Sequence, residues 1–440
     1  MKRLLVIILL LSLSLIISSP SLSVAEIIWR QGAISVEDEL SKAEARIRIG
    51  ELKVIPGLTL SGVWDDNIYL ANGYTNNPNN PGTTINGKLS KPIRSDYIFN
   101  VNPGLLVEYG MGERGSLRVG YDGNWAFYKE NTAQNWNNQK AVLDFNYKAP
   151  SGLIAGLTNI YNNGNDPYGD ATQFGLGFTQ KRWNNDLNAK LGWDFFNRFK
   201  AIGYYNFYKQ KYHDERNATQ NWTDNVLGLE GAMRVLPKTW AFLRAHFGTQ
   251  DYNDQNINSA LDASNKRYRI AGGLAWDGGG KLGGELNFGW QWLDYDNEFD
   301  TKGFRYENRN TWSANTSIDY RVTSTTGLAL NITRAIRSTG AARREFYDDT
   351  VVGINVTQDL PYKFSAKGGV AYGKNDYNSL NYERTENRED NNYNAYLGAA
   401  YRIRSWLDVS LNYQYMKKDS NDVTQSFTDN QVSLAIGATY

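Results

Sequence analysis

A period of two dominates the chain from Pro56 to Tyr440, where apolar and polar residues alternate in segments of roughly ten to fifteen residues. In the segment 407–415, two leucines, a valine and two tyrosines occupy every second position, with aspartate, serine, asparagine and glutamine between them. The segments 281–292 and 116–127 follow the same pattern. Successive side chains of a strand point to opposite faces, so each segment predicts a strand with one apolar and one polar face. No segment after residue 55 has the 3.6-residue period of a helix, and the body is therefore expected to be all-β.

Short and long connections alternate between these segments. The short ones fall at 236–239, 323–325, 361–362 and 405–406, and the long ones, most of them rich in Asn and Asp, at 71–92, 253–266, 296–306, 338–344 and 377–391. A hairpin with its long loop occupies about 40 residues, which is also the length of a β-propeller blade. A blade needs four short strands in that length, whereas each repeat here has two long ones. The propeller alternative is therefore disfavoured.

Long two-faced strands joined in this way are typical of a transmembrane β-barrel. A spanning strand needs about 9–11 residues, and closure leaves no backbone group unpaired in lipid. The pattern predicts an antiparallel up-and-down barrel of eighteen strands, near 57–70, 95–110, 115–130, 136–149, 152–162, 181–196, 200–213, 222–235, 239–252, 266–277, 280–295, 307–322, 326–337, 344–359, 363–376, 391–404, 406–418 and 428–440. The stretch 168–180 either extends the sixth strand or forms a separate element, so sixteen to twenty strands remain open. An even number places both chain ends in the periplasm.

The beginning of the chain is organised like a secretory signal peptide. Two basic residues precede the apolar run 4–17, and small residues at 23 and 25 precede a cleavage site after Ala25. The run is shorter than the ~20 residues of a spanning helix, which disfavours an uncleaved anchor. We therefore expect export to the outer membrane of a Gram-negative-type bacterium, where lipid surrounds the barrel.

Three regions follow from these features. Residues 1–25 form the signal peptide, 26–55 a periplasmic N-terminal extension, and 56–440 the outer-membrane barrel. The extension is either a short amphipathic helix at the mouth of the barrel or a disordered tail.

The end of the chain has the character of a closing strand. From Val432 to Tyr440 apolar residues occupy every second position, and the chain stops on an aromatic residue. A terminal strand of this kind resembles the signal that the barrel assembly machinery reads, so that machinery is an expected partner.

Catalytic and metal chemistry find little support. The chain has no cysteine, which excludes disulfides, thiolate metal sites and thiol nucleophiles. His213 stands at the outer end of a strand and His246 on a predicted lumen face, without a neighbouring nucleophile or a third metal ligand. The acidic run 294–300 lacks the glycine and ligand order of a known calcium loop. We expect neither an enzyme nor a cofactor, and 47 basic against 46 acidic residues give no footprint for nucleic acid.

The lumen is the remaining candidate site. Alternation predicts a pore lining of mixed charge with a modest cationic excess, formed by Arg118, Asp122, Asp144, Lys190, Asp194, Glu230, Arg234, Arg244, Lys281, Glu285, Asp319, Arg321, Lys363, Lys367, Arg402 and Arg404. These charges either pair across the wall in a structural role or line a polar channel that slightly favours anions.

Two stretches carry a resemblance to a known family. Residues 47–70, which end in Asp-Asp-Asn-Ile-Tyr-Leu, and residues 95–109 resemble in their order the opening of the putative β-barrel porin 2 family. The hairpins at 223–239 and 393–406 suit its pattern, whereas the loop 71–92 is long for it. The resemblance implies an outer-membrane barrel, often associated with exopolysaccharide or capsule export, and makes polysaccharide a candidate partner. It supplies no established substrate and no catalytic residue.

Two functions from different classes follow. The first is a porin-like channel that passes polar solutes or exported polysaccharide, because eighteen strands enclose an aqueous path unless loops fill it. The second is a non-conducting structural or polysaccharide-binding surface barrel. A siderophore-type transporter is disfavoured, because 22 strands and a plug exceed the length of the chain.

Overall fold

The chain folds as a barrel of eighteen antiparallel strands. The computed structural model describes residues 46–72, 84–85, 88–89, 93–166, 180–215, 218, 221–252, 263–276, 280–299, 306–338, 346–377, 387–422 and 425–440. The barrel strands in these ranges are β1 (Leu52–Asp65), β2 (Asp96–Gly110), β3 (Gly115–Tyr128), β4 (Trp136–Lys148), β5 (Leu153–Asp166), β6 (Gln180–Phe195), β7 (Phe199–Tyr212), β8 (Trp222–Leu236), β9 (Thr239–Tyr252), β10 (Asn265–Trp276), β11 (Leu282–Tyr295), β12 (Arg309–Arg321), β13 (Thr326–Ser338), β14 (Phe346–Asp359), β15 (Phe364–Tyr377), β16 (Glu389–Arg404), β17 (Leu407–Ser420) and β18 (Phe427–Thr439). No helix among the described residues is long and apolar enough to cross a membrane.

Each strand pairs with its neighbours in sequence, and β1 closes the wall by pairing with both β2 and β18. The predicted fold class and the count of eighteen strands are confirmed. Closure leaves neither the first nor the last strand as a free edge, which is what hydrocarbon surroundings demand. Short pairings lie outside the barrel ladder: Ile47–Ile49 pairs with the start of β1, and Thr84–Ile85 pairs with Lys88–Leu89.

The first strand begins five residues before its predicted position near 57–70, because Pro56 lies inside β1 rather than before it. The backbone oxygen of Pro56 accepts a hydrogen bond from Tyr440 N at 3.0 Å. The N–H that proline lacks would point to the same side, toward Tyr440, where the pairing with β18 ends. A proline there removes one terminal bond only. At the other end, Asn67 N donates to Asp65 Oδ1 at 2.8 Å, and this turn ends the strand.

The two ends of the barrel differ in their connections. Turns of two to five residues join the strands at one end, here called the short-turn end, and longer connections join them at the other, the long-loop end. The first and last strands have their outer termini at the short-turn end. Residues 1–45 and 167–179, which include the predicted signal peptide, most of the extension and the uncertain stretch 168–180, lie outside the described residues, and β5 pairs directly with β6.

The two faces of the wall follow the alternation. On β11, Phe288 and Trp290 are 45% and 44% exposed on the outer face, whereas Asn287, which precedes them and points to the inner face, is 0% exposed. Apolar outer residues meet hydrocarbon and polar inner residues meet the lumen, as expected of a membrane barrel.

Candidate functional site

The best-connected group of charges on the inner wall centres on Arg244 of β9. Its Nε donates to Glu230 Oε2 of β8 at 2.8 Å, and its Nη1 and Nη2 donate to the two oxygens of Glu285 of β11 at 3.2 Å each. Tyr204 of β7 donates its hydroxyl to Glu230 Oε2 at 2.9 Å. One guanidinium therefore joins two carboxylates from strands that are not neighbours of each other.

This network continues through β10 to β12. Asn287 donates to Glu285 Oε1 at 2.7 Å and accepts from Arg269 Nη2 at 3.1 Å. Arg269 also donates through Nε to Ser313 Oγ at 3.0 Å. Together Tyr204, Glu230, Arg244, Glu285, Asn287, Arg269 and Ser313 form one polar belt, which we call the Arg244 belt.

Two further ion pairs hold charges on the wall from β3 to β6. Arg118 Nη2 lies 2.8 Å from Asp144 Oδ2, and Lys148 Nζ lies 2.8 Å from Asp194 Oδ2. Thr158 also donates to Asp144, at 3.0 Å. Among the sixteen predicted residues, the structure thus brings Arg118 together with Asp144 and joins Glu230, Arg244 and Glu285, while Asp194 pairs with a lysine that the sequence list omitted.

Glycines on the inner face leave room for the long basic side chains of the adjacent strand. An added Cβ at Gly156 would come within 2.4 Å of Lys190 Cε, and one at Gly398 within 3.2 Å of Lys367 Cε. A Cβ at Gly228 would similarly meet the ring of His246. The side chains therefore lie along the wall instead of projecting to the axis. Asp122 on β3 and Asp319 on β12 occupy inner positions by the same alternation.

Six of the predicted cations gather at the short-turn end: Arg234, Lys281, Arg321, Lys363, Arg402 and Arg404. Lys363 belongs to the turn between β14 and β15, with a backbone φ of 66°, and not to a strand as its predicted position implied. Arg234 and Lys200 lie over the ring of the buried Trp240, at 4.5 and 3.5 Å from its centroid. Within the described residues, the other five make no ion pair. The short-turn end therefore carries five cations of the predicted lining that no close ion pair neutralises in the described part of the chain.

At the long-loop end, the β13–β14 hairpin leaves the cylinder of the wall. Pairing between β12 and β13 stops at Ala314 and Arg334, while β13 stays paired with β14 up to Ser338. Beyond that point Ile336 and Phe346, whose alternation assigns them to the outer face, pack against Leu293 on the inner face of β11. The end of this hairpin therefore leans across the lumen side of β11 and β12.

Ion pairs fasten this inward hairpin. Asp348 of β14 is 1% exposed and pairs with Arg309 of β12 and with Arg334 of β13. Arg334 also lies 4.7 Å from the ring centroid of Trp312. The alternation of the sequence does not predict these contacts, because it assumes that each strand stays in the wall along its whole length.

Among the described residues, neither histidine and no residue of the acidic run belongs to a group of three close metal-ligand side chains. His213 Nε2 lies 3.1 Å from Asn163 Oδ1, and His246 lies on the inner face of β9. Asp296 of the acidic run pairs with Lys266 at 3.1 Å, whereas Asp300 lies outside the described residues. In the part of the chain that the structure describes, the one group of three close metal-ligand side chains is Asp65, Asp66 and Asp429.

Solved structures of outer-membrane proteins show similarity to the chain. The ferric enterobactin receptor PfeA is 9% identical with a TM-score of 0.47, over 90% of this chain and 82% of that one. The siderophore receptor PirA from Pseudomonas aeruginosa is 7% identical with a TM-score of 0.40, over 88% and 80%. OccAB4 from Acinetobacter baumannii is 9% identical with a TM-score of 0.37, over 88% and 98%. Among curated proteins, no relative matches the chain.

A family model described as "Putative beta-barrel porin 2" matches residues 80–440. The match includes the stretch 95–109 that carries the resemblance and begins after the stretch 47–70. It covers β2 to β18 and more than half of the chain. With its closed outer-membrane-type barrel, the chain belongs to the putative beta-barrel porin 2 family.

Proposed function

We propose that this barrel is a channel that passes polar solutes and favours anionic ones, with its short-turn end in the periplasm. The observation that carries the proposal is the distribution of charge. The charges of the Arg244 belt compensate one another, whereas Lys281, Arg321, Lys363, Arg402 and Arg404 at one mouth make no ion pair within the described residues. A mouth with an excess of one sign of charge raises the local concentration of oppositely charged solutes.

Exported polysaccharide is the larger cargo that suits this arrangement. An acidic polymer approaching from the periplasm meets the cationic mouth first, and the Arg244 belt then offers it paired, hydrogen-bonding groups. The proposal assigns no catalytic role to any residue of the inner wall.

The purified protein in a planar bilayer tests this directly. We expect discrete conductance steps and, across a KCl gradient, a reversal potential of the sign given by anion preference. Arg402→Glu combined with Arg404→Glu should move that potential toward cation preference. Lys129→Glu, an exposed change at the long-loop end, is the control and should leave it near the wild-type value.

A polyanion added to one side at a time separates channel from scaffold. Dextran sulfate should block the wild-type current more strongly from the short-turn side, and the double variant should lose that asymmetry. A folded barrel without any conductance would instead support the non-conducting surface barrel, for which the inward β13–β14 hairpin is the supporting observation.

A further inference from the structure

Three carboxylates converge where the first and last strands of the barrel meet, at the long-loop end. Asp65 is the last residue of β1, Asp66 follows it, and Asp429 lies near the start of β18. One oxygen from each lies within 4.8 Å of the others. In the described part of the chain, no lysine or arginine forms an ion pair with any of the three.

Hydrogen bonds from surrounding amides hold these carboxylates in place. Gln431 Nε2 donates to Asp65 Oδ2 at 3.1 Å and to Asp429 Oδ2 at 2.9 Å. Asn430 donates its backbone N–H to Asp66 Oδ1 and its side-chain amide to Asp66 Oδ2, both at 2.7 Å. The donors approach from β18, so the carboxylates are kept close to one another despite their like charge.

One oxygen in this group lacks any hydrogen-bond partner. Asp429 is 0% exposed, and its Oδ1 accepts no hydrogen bond. A buried acceptor left without a donor is costly, and like charges this close disfavour ionisation of all three groups without a counter-charge. The arrangement therefore calls for a positive species between the carboxylates, either a proton or a metal cation.

We propose that Asp65, Asp66 and Asp429 bind one calcium ion at the seam between β1 and β18. Ca²⁺ prefers oxygen ligands at about 2.3–2.6 Å, so two ligands of one ion stand at most about 5 Å apart, which fits the observed separations. Mg²⁺ demands near-ideal octahedral geometry and dehydrates reluctantly, so it is usually held by one or two carboxylates and not by three. Zinc is disfavoured because the group has no nitrogen or sulfur ligand.

The location gives such an ion a structural effect. Asp65 and Gln431 are directly opposite each other in the β1–β18 ladder, and the three carboxylates come from both strands. A bound ion therefore ties the first strand to the last at the end of the ladder. Ca²⁺ bound to the folded barrel and not to the unfolded chain would raise the temperature at which the barrel opens.

The test uses the full-length protein in detergent free of lipopolysaccharide, after removal of divalent ions with EGTA. Titration with Ca²⁺ by calorimetry should give about one site per chain, with half-saturation on the order of 10⁻⁴ M as in extracellular calcium modules. The same addition should raise the temperature at which the folded band converts to the unfolded band on a gel, and Mg²⁺ at equal concentration should raise it less.

Asp429→Asn keeps the shape of the side chain and removes its charge. We expect this variant to lose the calorimetric site and the Ca²⁺-dependent rise, whereas Asp251→Asn, an exposed change elsewhere at the same end, should retain both. If Asp429→Asn does not fold, the wild-type titration decides the matter alone. If Ca²⁺ leaves the unfolding temperature of the wild-type barrel unchanged and calorimetry shows no site, the proposal is wrong.

Discussion

Arg334 Nη2 lies 3.1 Å from Asp348 Oδ2, although both residues occupy positions that face outward on the rest of their strands. The two side chains meet because β13 stays paired with β14, where Arg334 is opposite Thr350 and Ile336 is opposite Asp348, which places them diagonally on one face. Arg309 of β12 pairs with the same carboxylate. Asp348 thus links the inward-leaning β13–β14 hairpin to β12, the strand from which the hairpin separates.

The first prediction concerns this link. Asp348→Asn removes the charge that holds two guanidinium groups, and a buried charge left without its partner typically costs 3–5 kcal/mol, so we expect about that loss of local stability in the hairpin. The released hairpin should increase single-channel conductance or its fluctuations in a planar bilayer. Asp349→Asn, which breaks the pair with Arg337 inside the same hairpin, is the matched control and should change the conductance less. Equal currents in the two variants would show that the hairpin does not restrict the lumen.

The second prediction concerns the Arg244 belt. Arg244→Leu leaves Glu230 and Glu285, whose side chains are mostly buried, without their shared cation. A loss of about 3–5 kcal/mol in the free energy of unfolding is expected, measured by urea titration of the folded band in lipid vesicles. Adding Glu230→Gln and Glu285→Gln to Arg244→Leu should recover part of that loss, because the unpaired charges are removed. A triple variant less stable than Arg244→Leu would contradict this explanation.

The third prediction tests the orientation of β11. Phe288→Arg places a guanidinium on the outer face near the middle of the strand, where it should cost roughly 2–4 kcal/mol in a bilayer. The same substitution at Gln291, on the inner face, should leave assembly intact and alter the current. Surface levels and heat-modifiable migration measure assembly. The reverse outcome would mean that the two faces of this strand are exchanged.

The fourth prediction concerns the closing strand. Deleting 431–440 removes most of β18 and leaves β1 and β17 with unpaired edges in lipid. We expect the folded, SDS-resistant band to disappear and the chain to be degraded before it reaches the outer membrane. Tyr440→Asp should lower surface levels, because we expect the barrel assembly machinery to read the terminal aromatic residue. Tyr362→Asp, in a turn where Tyr362 is 88% exposed, should not lower them. Normal surface levels of the deleted chain would show that another segment closes the wall.

The alternation of apolar and polar residues predicts most of this fold, because a period of two indicates a strand and also which residues share each of its faces. The pairs Arg118–Asp144 and Glu230–Arg244 lie between neighbouring strands, so correct strand positions already bring their side chains to the same face. The same reasoning fails at Ile336, which alternation assigns to lipid. Whether a strand stays in the wall depends on packing with Leu293, a contact that no local pattern contains.

The carboxylate group shows a second limit of the sequence. Asp65 and Asp66 belong to the stretch 47–70, which resembles the opening of the family. Their partner Asp429 lies at the opposite end of the chain. Only closure of the barrel brings the three together. The acidic run at 294–300, which is conspicuous in the sequence, forms no such group among its described residues.

The seam between β1 and β18 also sets the order of events in assembly. Its contacts join residues as far apart as Pro56 and Tyr440, which are 384 positions apart in the chain. Among the strand pairings of the described residues, these contacts have the largest sequence separation. They are the slowest to form, because the entropy of the intervening chain must be lost before they are made. Until then β1 and β18 present free edges that pair readily with other chains. Closure at this seam is therefore the step in which a growing sheet becomes a barrel, and the step at which aggregation competes with folding.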